Sequence, residues 1–165
     1  MLAGDVAAAE GELRAAFDAL EAVGEKYLLS TVAGLLGQTV LGRDAVDEAE
    51  ALASRSRTLA TDDDVNTQAL WRCVHGRVLA RRGLHDEAVE IVREALALLE
   101  RTDATVLQFD ANLDFGEVLA LAGRIDEARA AYEAARAFAD RKGGVVILGT
   151  VLLRLEALDT AHASR

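Results

Sequence analysis

Between residues 125 and 138, Ile125, Ala128, Ala131, Tyr132, Ala135 and Phe138 recur at three- and four-residue spacing. Asp126, Glu127, Arg129, Glu133 and Arg136 fill positions between them. This is the period of an α-helix with one apolar stripe and one wet face. Residues 85–99 follow the same pattern, with Ala88, Ile91, Val92, Ala95 and Leu98 inward. The stretch 106–122 differs. Leu107, Phe115, Val118, Leu119 and Ala122 form one apolar set, and Val106, Phe109 and Leu113 a second. A helix apolar on two sides is expected between two neighbours. The whole chain reads as eight helices, over 4–22, 26–42, 45–60, 66–82, 85–101, 104–122, 125–141 and 144–158. Alternating strand patterns are not apparent and there is no proline. The fold class is all-α.

The pattern repeats. Laid over residues 116–143, residues 76–103 match Gly76 to Gly116, Val78 to Val118, Leu79 to Leu119, Ala80 to Ala120 and Gly83 to Gly123. Asp86, Glu87 and Ala88 fall on Asp126, Glu127 and Ala128, and Ala95 on Ala135. A weaker upstream copy matches Gly37 to Gly76 and Asp47, Glu48 and Ala49 to Asp86, Glu87 and Ala88. There the turn glycine is read as slipped, with Gly42 replacing the position expected at Asp44. Gly4, Ala9 and Ala16 echo Gly83, Ala88 and Ala95 as an opening half unit.

Gly83 and Gly123 lie just past a helix end, where the left-handed conformation is wanted. Gly76 and Gly116 lie mid-helix, where each costs about 1 kcal/mol relative to Ala. A recurring cost at a fixed period predicts a packing gain, with the partner helix approaching beside Ala88 or Ala128. Each unit is thus a helix–turn–helix that cannot bury its faces alone, and stacked copies form one continuous core.

Composition supports this. Aromatics are 4% of the 165 residues and 52% are apolar, which suits helices packed through small side chains. The net charge of −10 comes from interspersed signs without a basic block, which argues against a phosphate-tracking nucleic-acid surface. The start, MLAGDVAAAEGEL, lacks a basic region and carries acids, unlike a secretory signal. The most apolar run, Val145 to Leu153, is too short to span a bilayer. A cytoplasmic location is the expectation, and no membrane partner is implied.

Catalytic and cofactor signatures do not emerge. The glycines do not fall as a phosphate loop, and RKGG at 141–144 reads as a turn between helices. His75, His85 and His162 lack ligand spacing, so no metal is expected; His75 reads as a packed core residue. Cys73 reads as a small inert hydrophobe without a specified base. Asp62, Asp63 and Asp64 lack the alternation and final Glu of a calcium loop, and Asp64 reads as the N-cap of the helix from Val65. Trp71 reads as packing between adjacent inner helices.

The unit resembles the tetratricopeptide repeat. Gly76, Gly83, Ala88 and Ala95, then Gly116, Gly123, Ala128 and Ala135, stand in that family's small-residue slots, and Tyr132 in its aromatic slot, where the earlier copy has Val92. Two features depart from it. The spacing is 40 residues rather than about 34, and Glu100 and Asp140 stand where the closing proline usually sits. The resemblance implies a right-handed α-solenoid of antiparallel helix pairs over 1–165: a half repeat 4–22, repeats 26–60, 66–101 and 104–141, and a terminal helix 144–158. A narrower likeness, carried by Gln68 to Arg72 and Arg101 to Asp103, is to the C-terminal repeat region of actinobacterial-type adenylate/guanylate cyclase–ATPase signalling proteins. It implies that the chain is a fragment of such a protein, without its catalytic parts, and the opening half unit is consistent with a cut inside a longer array.

The resemblance also implies a concave groove lined by inner helices. Its candidate binding residues are Gln38, Leu70, Cys73, Arg77, Arg81, Asp110, Leu113, Asp114 and Glu117, with Thr31, Gly34, Leu41, Ala80, Ala120 and Leu121 on the same faces. The Lys/Asn clamp with which some relatives hold a peptide carboxylate is not reproduced. Arg77 and Arg81, one turn apart, could hold a carboxylate or pair internally with Asp110, Asp114 or Glu117, and internal pairing is the favoured reading. The last helix is apolar all round and has no following helix to cover it. Val146, Ile147, Leu148, Val151, Leu152 and Leu155 are therefore candidates for self-association as a homodimer. The expected role is a non-catalytic protein-interaction scaffold that binds a protein segment or another part of its parent chain. The alternative is a small-ligand sensor that encloses a metabolite and biases a linked effector domain.

Overall fold

A computed structural model describes the backbone of residues 3–142 and 145–163 and the side chains of residues 6–140 and 148–160. Among these residues the chain forms eight helices: α1 (Ala3–Val23), α2 (Tyr27–Leu41), α3 (Val46–Leu59), α4 (Val65–Arg81), α5 (His85–Leu99), α6 (Thr105–Leu121), α7 (Ile125–Lys142) and α8 (Val145–Ala163). No helix of the described residues is long and apolar enough to cross a membrane. The fold is an all-α solenoid. α2 packs on α3, α4 on α5 and α6 on α7, while the inner helices α2, α4 and α6 touch in succession. α1 lies against α2, and α8 against α7.

α4 shows why inner helices are apolar on two sides. Val74 and Val78 join the core of Leu36, Val40, Leu41 and Leu52 on the α2–α3 side. Ala69, Cys73 and Ala80 join the core that runs on through α5, α6 and α7 to Val151 and Leu158 of α8. One helix thus serves two cores. In α6 the expected second face is incomplete, because Val106, in the first turn, is exposed.

The matched acid–acid–alanine triplets occupy matched environments. Asp47 and Glu48, Asp86 and Glu87, and Asp126 and Glu127 stand in the first turns of α3, α5 and α7, where carboxylates favour the helix N-terminus. The alanines that follow, Ala49, Ala88 and Ala128, have no exposed surface. Asp64 caps α4 by accepting a hydrogen bond from the Thr67 amide at 3.1 Å.

The mid-helix glycines are contact points: a Cβ at Gly76 would lie 3.2 Å from the Ala88 carbonyl oxygen, as expected, but the nearest atoms at both glycines belong to a larger side chain of the partner helix. A Cβ at Gly76 would lie 2.3 Å from Val92 Cγ2, and one at Gly116 would lie 2.3 Å from Tyr132 Cε1. Val92 and Tyr132 are the same slot of successive units, so each glycine is a socket for the side chain at that slot of its partner helix.

The turn of the first unit also departs from expectation. Gly83 and Gly123 take φ of +79° and +73°, whereas the corresponding residue of the first unit is Asp44, with φ of 67°. Gly42 is helix-like at φ −61°. The turn has not slipped. Its geometry is held at the repeat position by an aspartate, one of the few side chains that tolerate it.

Two further expectations change. Trp71 does not bridge inner helices. It is buried between Arg72, 4.2 Å from the ring centroid, and Arg57 of α3 at 5.2 Å, and its Nε1 donates to Gln68 Oε1 at 3.0 Å. His75 is half-buried rather than in the core. It lines an outer cleft of about 290 Å³ with Trp71, Arg57, Asp47 and Glu50, where burial lowers its pKa.

Candidate functional site

The concave side holds a chamber of about 410 Å³. Its walls come from both ends of the solenoid as well as the middle: Val6 and Ala9 of α1, Gln38 and Thr39 of α2, Arg77 of α4, Asp110, Leu113, Asp114 and Glu117 of α6, and Thr150 and Arg154 of α8. The volume is in the range of small-ligand pockets. A narrow apolar slot of about 30 Å³ adjoins it, lined by Leu35, Leu70, Cys73, Leu99 and Leu107. Gln38, Asp110 and Asp114 belong to both walls.

Arg77 anchors the chamber's electrostatics. Its side chain is 8% exposed and projects from the middle of the sandwiched helix. Nη1 lies 3.1 Å from Asp114 Oδ1 and Nη2 lies 3.1 Å from Glu117 Oε2. Arg81, one turn on, reaches Glu117 Oε1 at 2.8 Å and Asp44 at 3.3 Å, and Arg154 approaches Glu117 Oε2 at 3.9 Å. The two arginines of α4 therefore pair internally with α6. Arg77 Nε and Arg81 Nη1 are buried with no hydrogen-bond partner among the described residues. Burial pushes Asp114 up to about 6, against the pull of the Arg77 guanidinium. The pair is charged at neutral pH.

Asp110 stands apart. It is half-buried, and desolvation lifts its carboxyl to about 6. None of the described cations lies within ion-pair distance of it. Cys73 is buried in the adjoining slot, and burial raises its thiol well above the usual range, which leaves it protonated and unreactive. Among the described residues, no group of three or more His, Cys, Asp or Glu side chains is placed to hold a metal.

Gln38, Arg77, Asp110, Leu113, Asp114 and Glu117 thus share one chamber, Leu70 and Cys73 line the slot beside it, and Arg81 stands behind Glu117. Leu41 and Gly34 are buried within the helix layer, Gly34 directly beneath Leu70. The contributions of α1 and α8 were not expected. They arise from curvature of the array, which brings its two ends over the same hollow, and no local pattern signals that.

On α8, Val151 and Leu155 are buried with Leu158, and Leu148 packs against the same core. These three candidates for self-association serve the intramolecular seam. Leu152 is 40% exposed and its neighbour Leu153 is 68% exposed. The side chains of Val146, Ile147 and His162, and the turn at 143–144, lie outside the described residues.

No curated protein matches the chain. A family model described as tetratricopeptide repeat matches residues 66–143, which span α4 to α7 and leave α1 to α3 and α8 outside the match. The helix pairs that carry Gly76, Gly83, Gly116 and Gly123 are therefore similar to tetratricopeptide repeats.

Proposed function

We propose that the chain is a non-catalytic interaction module whose concave chamber receives a segment of a partner protein or of its own parent chain. Repeats of this family generally mediate protein–protein contact. The observation that carries the reading here is the chamber itself, into which five helices of the array project side chains. Arg77, Asp114 and Glu117 are committed to one another, which suits holding a shape rather than turning over a substrate. A second reading, a small-ligand sensor, is favoured by a volume of about 410 Å³, large enough to enclose a metabolite. The wider setting, the regulatory repeat region of a larger cytoplasmic signalling protein, rests on the likeness at residues 68–72 and 101–103. Self-association is left to the exposed Leu152 and Leu153, and light scattering of a Leu152→Glu/Leu153→Glu chain tests it.

The test of the main reading is site-specific photo-crosslinking in cells. A crosslinker at Gln38 or Leu113 faces the chamber, and one at Glu94 faces solvent on the outer side. Adducts from the first two positions to a defined peptide, and few from the third, are expected. Adducts arising only from the outer position would overturn the reading. A small molecule retained through native mass spectrometry, without peptide adducts, would favour the sensor.

A further inference from the structure

The chamber wall carries two guanidinium groups, Arg77 and Arg154, against three carboxylates, Asp110, Asp114 and Glu117. Arg77 is held by Asp114 and Glu117, and Arg154 lies on the Glu117 side. Arg81 also holds Glu117, from behind the wall, so all three guanidinium groups serve Asp114 and Glu117, and Asp110, at the junction of the chamber and the apolar slot, makes no ion pair among the described residues. A half-buried carboxylate with no ion-pair partner is partly desolvated, and a counter-ion entering the chamber relieves it. An anion would fare worse. The unpaired donors nearby, Arg77 Nε and Arg81 Nη1, are shut off from solvent, and an anion would meet the three carboxylates first. Apolar walls at Val6, Ala9 and Leu113 give an alkyl stem somewhere dry to lie.

We infer that the chamber takes an alkylammonium or guanidinium group, with the Asp110 carboxylate as its counter-ion. This deepens the reading above and rests on it. The chemistry is that of a lysine or arginine side chain in a bound segment, or of a free amine. A Lys/Asn clamp built for carboxylates would select the opposite charge.

Cation affinity then follows the ionisation of Asp110. The groups facing it are Cys73 and Arg77 of α4, Gln38 of α2, Asp114 and Glu117 of α6, and Arg154 of α8. Lowering the pH through about 6 protonates Asp110 and, in the same range, Asp114, so binding weakens on the acid side.

The experiment is an NMR titration of the whole chain, following amide shifts and the Asp110 carboxyl carbon. The probes are Nα-acetyl-lysine methylamide, n-butylamine and a glycine peptide with a central lysine, with norleucine and glutamate peptides as controls. The cations are expected to shift Asp110, Gln38 and Leu113 saturably, and the controls are not. Asp110→Asn should weaken cation binding about ten- to a hundredfold, the worth of a charge-assisted contact. Gln38→Lys places a tethered ammonium in the chamber and should block the free probes. The wild-type carboxyl signal and its pH dependence decide the matter even where a variant folds poorly. Tighter binding of the peptide than of the capped lysine assigns the cation to a protein segment, and equal binding assigns it to a free amine; both support the site. Unchanged affinity in Asp110→Asn, no saturable shift, or preference for the glutamate peptide would overturn it. If Gln38 and Leu113 still crosslink to a peptide while cations leave Asp110 unmoved, the cation inference fails and the interaction reading stands.

Discussion

The seams between paired helices and the concave wall bury their residues by opposite means. At the α4–α5 and α6–α7 seams the fit is apolar: a glycine socket receives Val92 in one unit and Tyr132 in the next. On the concave wall the buried groups are charged, with Arg77 enclosed between Asp114 and Glu117. A seam is specified by residues a fixed distance apart in one chain segment. The wall depends on how several units are turned relative to one another. The contrast separates what folds each unit from what sets the shape between units, and each side can be perturbed alone.

Removing the centre of the wall should have the largest effect. Arg77→Ala leaves Asp114 and Glu117 buried with no guanidinium between them. Breaking a buried pair from one side typically destabilises by about 3–5 kcal/mol. Urea unfolding monitored by circular dichroism should show a loss of that size. A loss under about 1 kcal/mol, near the value of an exposed pair, would mean that water already reaches the network. For the same reason a charge reversal of Arg77 and Arg81 is a poor probe of binding: it would report on folding first.

The seam is tested next. In Gly116→Ala the new Cβ meets the Tyr132 ring at 2.3 Å and 2.5 Å, so the ring or the helix must shift. Overpacking costs about 1–3 kcal/mol, offset by about 1 kcal/mol of better helix propensity. A net loss of about 1–2 kcal/mol is expected. In a Tyr132→Ala background the clash is gone and the same substitution should become neutral or stabilising. Additive losses in the double variant would show that the socket is not the reason for the glycine.

The third effect has the opposite sign. Asp110 titrates near 6 in the folded chain and near 3.8 unfolded. For an acid raised by folding, the penalty is absent below the unfolded value, grows as pH rises between the two, and is complete above about 6. Stability should therefore decline from about pH 4 to pH 6 through this group. Asp110→Asn should remove that part of the decline. At pH 7 it should stabilise the free chain by about 1–2 kcal/mol, less than the full shift would give because the group is partly solvated. Asp114 titrates in the same range, so the slope is reduced rather than abolished. An unchanged pH profile in the variant would show that Asp110 is already neutralised or well solvated.

Much of the architecture is legible in the sequence. Helix number, the pairing, the Gly83 and Gly123 turns and the Asp64 cap all follow from local period and local backbone needs. The concave residues of α2, α4 and α6 follow from the groove-facing slots that the resemblance to other tetratricopeptide arrays implies. The roles of Val6, Thr150 and Arg154 were not legible, because they depend on the accumulated rotation of the units. Nor was the burial of Leu148, Val151 and Leu155 separable from the exposure of Leu152 and Leu153. α8 is apolar around its whole circumference, so its sequence does not say which side meets α7. Trp71 misled for a related reason: its flanking arginines come from two different helices, and only their approach makes a sandwich.

The smallest effect concerns the turn of the first unit. Asp44 holds a left-handed conformation that its counterparts Gly83 and Gly123 adopt freely. Relieving the strain on a side chain there is worth about 1 kcal/mol, while glycine's greater freedom in the unfolded chain takes back about 0.4–1 kcal/mol. The contact with Arg81 is 3.3 Å long and highly exposed on the aspartate side, so its loss should add little. Asp44→Gly should accordingly raise stability by a few tenths of a kcal/mol at most, while Gly123→Ala, with φ of +73°, should lower it by about 1 kcal/mol. The seam and wall should be untouched in both, as a chemical-shift map would show. A clear loss in Asp44→Gly would mean that the aspartate does more than occupy the turn. Its link to Arg81, and through it to Glu117, would then tie the first unit to the wall of the chamber.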